Sequence, residues 1–305
     1  MDYYFGLVQT IGIHTLLGLS AYCVLIAGQV SLAQAGFFAI GAYSAGILTV
    51  LGGIHILPAL AIAAVIGAVV AGAVGFPALR VKGLMLVVAT LAFGETVRLF
   101  FFIFSLGSTK DGIPIGPSGA EGFRQIRYFA ENGWSVGAVA ALVWGITAAI
   151  LLCLWALDRS RTGRILRAVG RDEVAAQNVG VDITAVKVAA MALGGAIAAI
   201  GGGLYAHTTT HIEHSQFGVT LAAFAIAYPI LGGLSSPFGS LYAAVLIQGV
   251  MIEGFRFLGD WRSLLFGLII ILFMNLRHAP GVAVRYRALI QKIRGDHLVK
   301  RDAEC

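Results

Sequence analysis

The sequence predicts an all-α, polytopic membrane bundle of about nine transmembrane helices, with room for broken or re-entrant segments. Three observations lead there. Hydrophobic residues fill 58% of the 305 positions and charged residues only 12%, against about 25% charge in soluble domains. Several runs of about 20 residues carry no charge, the length an α-helix needs to cross a bilayer. The basic residues fall in short connections and a tail, where they orient a membrane protein, so the net charge of +6 is no nucleic-acid signal. The whole chain, 1–305, reads as one transmembrane domain. Its 40 glycines suit helices that must approach closely in lipid. Cys23, Cys153 and Cys305 form no disulfide framework. MDYYFGLVQ has no basic start or small-residue cleavage site, so no removable leader is expected there.

The first span is expected from Phe5 to about Ala27, with Gln9, His14 and Tyr22 as polar punctuation. GQVSLAQAGFFAIGAYSAGIL follows, where Gln29, Ser31 and Gln34 interrupt the apolar run beside Gly28. Polar breaks at membrane depth survive only when buried in protein or lining a watery path. Both readings stay open here, a packed helix start or a path that Tyr43 on the same stretch would join. Gly41/Ala45 and Ala42/Gly46 then form small-xxx-small pairs. A third span, Pro58 to Leu79, adds Gly67/Ala71 and Ala68/Gly72, and Arg80 and Lys82 mark a cytoplasmic turn.

The fourth span, Gly83 to Ser105, contains Glu95 and Arg98, spaced i, i+3 so that they can pair. Charges inside a span are costly and mark a functional site by default. The competing role is structural, a partly hydrated pair near the outer end. Leu106 to Gly133 is a turn-rich extracytoplasmic loop with Gly112, Pro114, Gly116 and Pro117. The fifth span runs from Trp134 to Leu157 and the sixth from Lys187 to about Ala206. The sixth carries Gly194, Gly195 and Gly201-Gly202-Gly203 and should press hard on its neighbours. HTTTHIEH follows; His207 and His211 have spacing for a shared helical face, but the threonines favour an interfacial loop, and no metal or cofactor site is assigned. Further spans are expected at Val219 to Leu234, Phe238 to Phe255 and Trp261 to Asn275. LSSPFGS is a second Gly/Ser/Pro break, and the basic tail 277–305 is cytoplasmic. This pattern puts the N-terminus outside.

The longest polar interruption is the segment 158–187, DRSRTGRILRAVGRDEVAAQNVGVDITAVK, whose basic residues place it in the cytoplasm. Asp172 is an N-cap, Glu173 to Val179 a short helix, and Gly180 its C′ residue. Asp182 then caps the next helix. Val174 and Val179 beside small Ala175 and Ala176 make a rigid knob. Its two readings are a docking element for a cytoplasmic partner and a well-capped loop with none.

Glu173-Val174-Ala175-Ala176 with Gly180 resembles the E-A-A…G loop by which ABC-importer permeases dock on their ATPases. GRILRAVGRDEVAAQNVGVDITAVK is similar to the branched-chain amino-acid permease family in particular. Gly28 to Tyr43 resembles that family's G-Q-x-S-L-x-x-A-x-F-x-x-I-G-A-Y signature, and Ala89 to Leu99 its A-T-L-A-F-G-E-x-x-R-L run. The resemblance covers most of the chain from Gly18 to about Gly281. It implies a bacterial inner-membrane importer in which ATPase subunits engage the segment 158–187, including Gly163, Arg167, Glu173, Ala175, Ala176 and Gly180. It further implies a second related permease, a periplasmic substrate-binding protein, and leucine, isoleucine or valine as substrates. Some relatives carry urea, amides or other amino acids. Path candidates are Gln29, Ser31, Gln34, Tyr43, Glu95 and Arg98.

The absences agree with a subunit powered from outside. No G-x-x-x-x-G-K-[ST] occurs, so the chain has no P-loop to cradle ATP phosphates. H-E-x-x-H, C-x-x-C and G-x-S-x-G are absent too, leaving a membrane enzyme without support and no catalytic residue to assign. A self-sufficient secondary carrier needs coupling groups near its midplane, and few intramembrane carboxylates are available beyond Glu95 and Glu253.

Overall fold

A computed structural model describes residues 2–78, 81, 83–110, 113–253 and 267–268. Residues 1–250 pack as one unit. The second unit, 251–305, is described only over the last residues of a helical segment and at helical Gly267 and Leu268. Arg80, Lys82, the rest of the expected span from Trp261 to Asn275, and the tail 277–305 lie outside the described residues.

Helix α1 is Asp2–Ile26, α2 Gln34–Val50, α3 Ile56–Ala78 and α4 Leu84–Ile103. Past α4 come short strands β1 (Ser108–Lys110), β2 (Ile113–Pro117) and β3 (Phe123–Arg124), then α5 (Tyr128–Glu131) and α6 (Val136–Arg159). The segment 158–187 holds α7 (Arg161–Arg171) and α8 (Glu173–Asn178), and α9 (Ile183–Thr209) follows. After a 3₁₀ turn, His214–Phe217, the chain forms α10 (Val219–Gly232) and α11 (Phe238–Ala244), the latter continuing as a π-helical stretch, Val245–Glu253. Five helices, α1, α3, α4, α6 and α9, are long and apolar enough to cross a membrane; α2, α10 and the stretch from Phe238 are shorter apolar helices. The described residues therefore build an α-helical membrane bundle with one small sheet.

Helix α9 is the centre, packed by α1, α2 and α3. Glycine makes this possible. A Cβ on Gly202 would sit 1.9 Å from the Phe38 carbonyl oxygen, and one on Gly41 would sit 2.1 Å from that of Ala199. Gly67 of α3 and Gly195 of α9 face each other in the same way, each Cβ position 2.7 Å from the other's carbonyl oxygen. Lipid tails are as apolar as leucine, so such backbone contact and dispersion must supply the adhesion.

The sheet departs from the turn-rich loop expected over Leu106 to Gly133. Its antiparallel order is β1-β2-β3. Phe123 exchanges backbone hydrogen bonds with Ile212, N–H to O at 2.8 and 3.0 Å, which pins the loop to the segment after α9. The buried Phe123 ring covers Gly46 of α2. Glycine and proline at Pro114, Gly116 and Pro117 masked these strands.

Candidate coupling site and transport path

Local chemistry shapes the segment 158–187. Ser160 caps α7, its hydroxyl accepting from the Gly163 N–H at 3.3 Å. Gly163 then lies flat against the end of α6, where a Cβ would be 2.2 Å from the Leu157 carbonyl oxygen. Leu166 and Val169 recur every three residues with it on the buried side. Leu166 joins an apolar cluster with Tyr22, Ile26, Ala27 and Ala190. The result is an amphipathic helix with Arg161, Arg164 and Arg171 exposed.

Arg167 turns inward. Its Nε and Nη2 donate to the two Asp158 carboxylate oxygens, both at 2.6 Å. Nη2 also donates to Tyr22 Oη at 2.9 Å and the Ser235 carbonyl at 3.1 Å, and Nη1 to the Leu234 carbonyl at 2.9 Å. One guanidinium thus ties α7 to α1, to the end of α6 and to the turn between α10 and α11. The Asp158 hydrogen bonds hold it protonated even more firmly than an ordinary arginine. The delocalised fork of Arg, with five donors, suits such a junction.

Helix α8 is fixed at both ends. Asp172 Oδ1 accepts from the Ala175 N–H at 3.0 Å, and Asp182 Oδ1 does the same for Ala185 at the start of α9. At the other end Gly180 has φ +85°. Its N–H donates to Gln177 O at 2.9 Å and that of Val181 to Ala176 O at 3.2 Å, the paired bonds of a Schellman termination. Glu173 accepts from Lys187 Nζ of α9 at 2.5 Å, with the Lys187 side chain only 8% exposed. Ala176 packs inward while Ala175 is exposed. Val174 and Val179 stand out at 69% and 79% exposed. A short helix held rigidly on α9 therefore presents two valines.

The break before α2 lies at the same end of the bundle. Gly28, φ +77°, ends α1 with the same Schellman pair, Gly28 N–H to Leu25 O at 3.0 Å and Gln29 N–H to Val24 O at 3.2 Å. A Cβ there would be 2.9 Å from Gly170 Cα of α7. Gln29, Ser31, Gln34 and Tyr43 are all buried. Ser31 Oγ accepts from the Ala33 N–H at 3.2 Å, while both Gln34 amide atoms, Gln29 Oε1 and the Tyr43 hydroxyl have no hydrogen-bond partner among the described residues. Tyr43 stacks on Phe101 of α4 with centroids 3.9 Å apart.

Glu95 and Arg98 do pair, Nε to Oε2 at 2.6 Å, with side chains 31% and 28% exposed. They sit beside Gly218, the N-cap of α10, where a helix N-terminus favours a carboxylate. His207 and His211 do not share a helical face. His207 is in the last turn of α9, its ring nitrogens bonded to Gly203 O at 2.6 Å and Thr49 Oγ1 at 2.8 Å. α9 stops at Thr209, and His211 Nε2 instead pairs with Glu213 at 3.0 Å. The His211 hydrogen bond, then that of Ser215, holds the Glu213 carboxyl below its usual range.

One polar chain escaped the sequence reading. His14 Nδ1 meets Tyr228 Oη at 2.8 Å, and Gln248 Nε2 donates to that oxygen at 2.9 Å. A histidine in the middle of an apolar span was its only signal.

The bundle and its doubly capped loop helix define a polytopic membrane protein built to hold a rigid knob at one end. The chain belongs to the family described as branched-chain amino acid transport system / permease component, whose model matches residues 3–274. It is 29% identical over 289 residues to the high-affinity branched-chain amino acid transport system permease protein LivM of Salmonella typhimurium, covering 87% of this chain and 66% of that protein. LivM of Escherichia coli K12 matches to the same extent. The fructose import permease protein FrcC of Rhizobium meliloti is 29% identical over 198 residues, 61% of this chain and 52% of that protein. The chain thus spans 66% of the length of each LivM protein. No solved structure matches the chain.

Proposed function

We propose that this chain is a permease subunit of an ABC importer for branched-chain amino acids, driven by separate ATPase subunits that dock on α8. The observation that carries the reading is the α8 knob, capped at both ends, braced by Glu173–Lys187 and offering Val174 and Val179 outward. Exposed apolar side chains on a rigid polar mount suit a protein contact. Family membership supports the rest of the assembly, a second related permease and a periplasmic substrate-binding protein in a bacterial inner membrane. Glu173, Ala176 and Gly180 set the shape of the knob and Ala175 lies on its surface. Gly163 and Arg167 act from behind, placing α7 against the bundle.

In this reading the N-terminus is outside and the chain crosses about nine times. The five long spans, the three shorter apolar helices and the expected span from Trp261 to Asn275 supply the crossings. The Gly28 break, the α10–α11 turn and α7–α8 are then all cytoplasmic, and the sheet lies outside.

The names of the relatives, fructose and autoinducer 2 import permeases among them, favour a small polar solute and leave sugars, urea, amides and other amino acids as the substrates to test against leucine, isoleucine and valine. The test is purification of the tagged chain with its chromosomal neighbours co-expressed. The reading expects a stable complex with nucleotide-binding subunits whose ATP turnover rises when binding protein loaded with leucine is added. A chain that purifies alone and carries solute unaided in liposomes would overturn it.

A further inference from the structure

At the centre of α1, a helix of 25 residues, stands His14. Its ring lies edge-on to Phe224 and Tyr228 of α10, with centroids 6.2 and 5.8 Å away. Tyr228 and Gln248 are buried, whereas His14 is partly exposed. Gln248 belongs to the π-helical stretch after α11, a departure from α-geometry that gathers at functional sites.

The three side chains make a directed relay. An amide nitrogen can only donate, so the Tyr228 oxygen accepts from Gln248. The single phenolic proton has one acceptor among the described residues, His14 Nδ1. An imidazole that accepts at Nδ1 carries its own proton at Nε2. His14 Nε2 has no hydrogen bond among the described residues and is not one of their buried unpartnered atoms. A neutral N–H donor is thereby aimed outward from mid-span. An N–H left facing hydrocarbon is costly, and the cost disappears if that face is wet.

We infer that the face of α1 and α10 around His14 lines the translocation path, where His14 Nε2–H donates to the carboxylate of a zwitterionic amino acid passing mid-membrane. This rests on the permease reading above. A neutral donor orients the carboxylate without binding it so tightly that it stays. Phe224, partly exposed and stacked at 6.1 Å on the buried Tyr228 one helical turn on, offers an apolar surface to the solute's side chain.

The test is thiol accessibility in the ATPase-bound complex, in a background lacking Cys23, Cys153 and Cys305. His14→Cys is treated with a water-soluble methanethiosulfonate, with Val69→Cys on the exposed apolar side of α3 as the lipid-facing control. Because the reagent needs a thiolate and thiolates need water, His14→Cys should react at least about tenfold faster than Val69→Cys. Leucine should slow labelling of Phe224→Cys, which keeps the His14 donor, and 3-methylbutylamine, the same molecule without its carboxylate, should not. A rate as low as the control overturns the inference. Equal protection by both compounds, or by neither, overturns the carboxylate assignment. If His14→Cys fails to assemble, Phe224→Cys reads the same face with the same outcomes. Leucine-stimulated ATP turnover of the unmodified complex tests the permease reading separately, since labelling rates report wetness whatever that turnover does.

Discussion

The two ends of the bundle are held by different kinds of contact. At the α7–α8 end charged groups reach between elements: Arg167 joins α7 to Asp158, Tyr22, Leu234 and Ser235, and Lys187 joins α9 to Glu173. At the sheet end the ion pairs among the described residues are local, Glu95 with Arg98 within one helix and His211 with Glu213 two residues on. There the elements are joined by backbone pairing, by the uncharged His207–Thr49 hydrogen bond and by aromatic contact, Tyr43 on Phe101 and Phe123 over Gly46. Directional charged bonds keep parts in fixed register, while apolar faces tolerate sliding. The α7–α8 end is thus held in register by charged bonds, and the sheet end is joined chiefly by backbone and apolar contacts.

The comparison breaks most easily at Arg167. Arg167→Met keeps the aliphatic stem but strands Asp158, whose side chain is 15% exposed, and frees the Leu234 and Ser235 carbonyls. We expect a loss on the order of 3 kcal/mol, seen as little assembled complex at normal synthesis, with partial recovery on adding Asp158→Asn. Unchanged yield from Arg167→Met alone would remove the junction from the account.

A smaller effect is expected at the brace. Lys187→Met should leave the permease inserted and assembled but loosen α8, costing about 1–2 kcal/mol and lowering stimulated ATP turnover. Exchanging the charges, Glu173→Lys with Lys187→Glu, should restore turnover if the bond only positions α8. Failure of the exchange in an assembled complex would assign Glu173 a direct contact with the ATPase.

The smallest effect belongs to Glu95 and Arg98. Their pair lies within one helix and is about a third exposed, so each single glutamine variant should cost about 1 kcal/mol or less. Uptake in the double variant at matched abundance decides the role: normal uptake leaves the pair as scaffold beside the α10 N-terminus, and lost uptake assigns it to the path.

Legibility in the sequence followed the range of the interaction. The caps Asp172 and Asp182 and the terminating Gly180 act within five residues, and each is where the sequence puts it. Long apolar runs and the glycine triplet of α9 were equally plain. Arg167 was identified as a residue of the loop, yet its inward turn depends on Tyr22 and Leu234, 145 and 67 positions away. No spacing rule joins those. Helix α7 went unnoticed because its arginines hide the three-residue recurrence of Gly163, Leu166 and Val169. The strands of the sheet pair with near neighbours but are hidden by Pro114, Gly116 and Pro117, while its anchor on Ile212 and the His14 chain, which closes over 214 positions, join distant residues. Of the path candidates, Gln29, Ser31, Gln34 and Tyr43 are buried in the protein, while Glu95 and Arg98 are partly exposed.

The most direct test of the central claim is leucine-stimulated ATP turnover in a complex carrying Val174→Asp and Val179→Asp. Both side chains are exposed, so insertion and permease pairing should be normal. If α8 is the docking knob, two charges in its apolar contact should cost about 2 kcal/mol or more of binding and lower stimulated turnover at least about tenfold. Turnover equal to that of the unmodified complex, at equal abundance, would contradict the account.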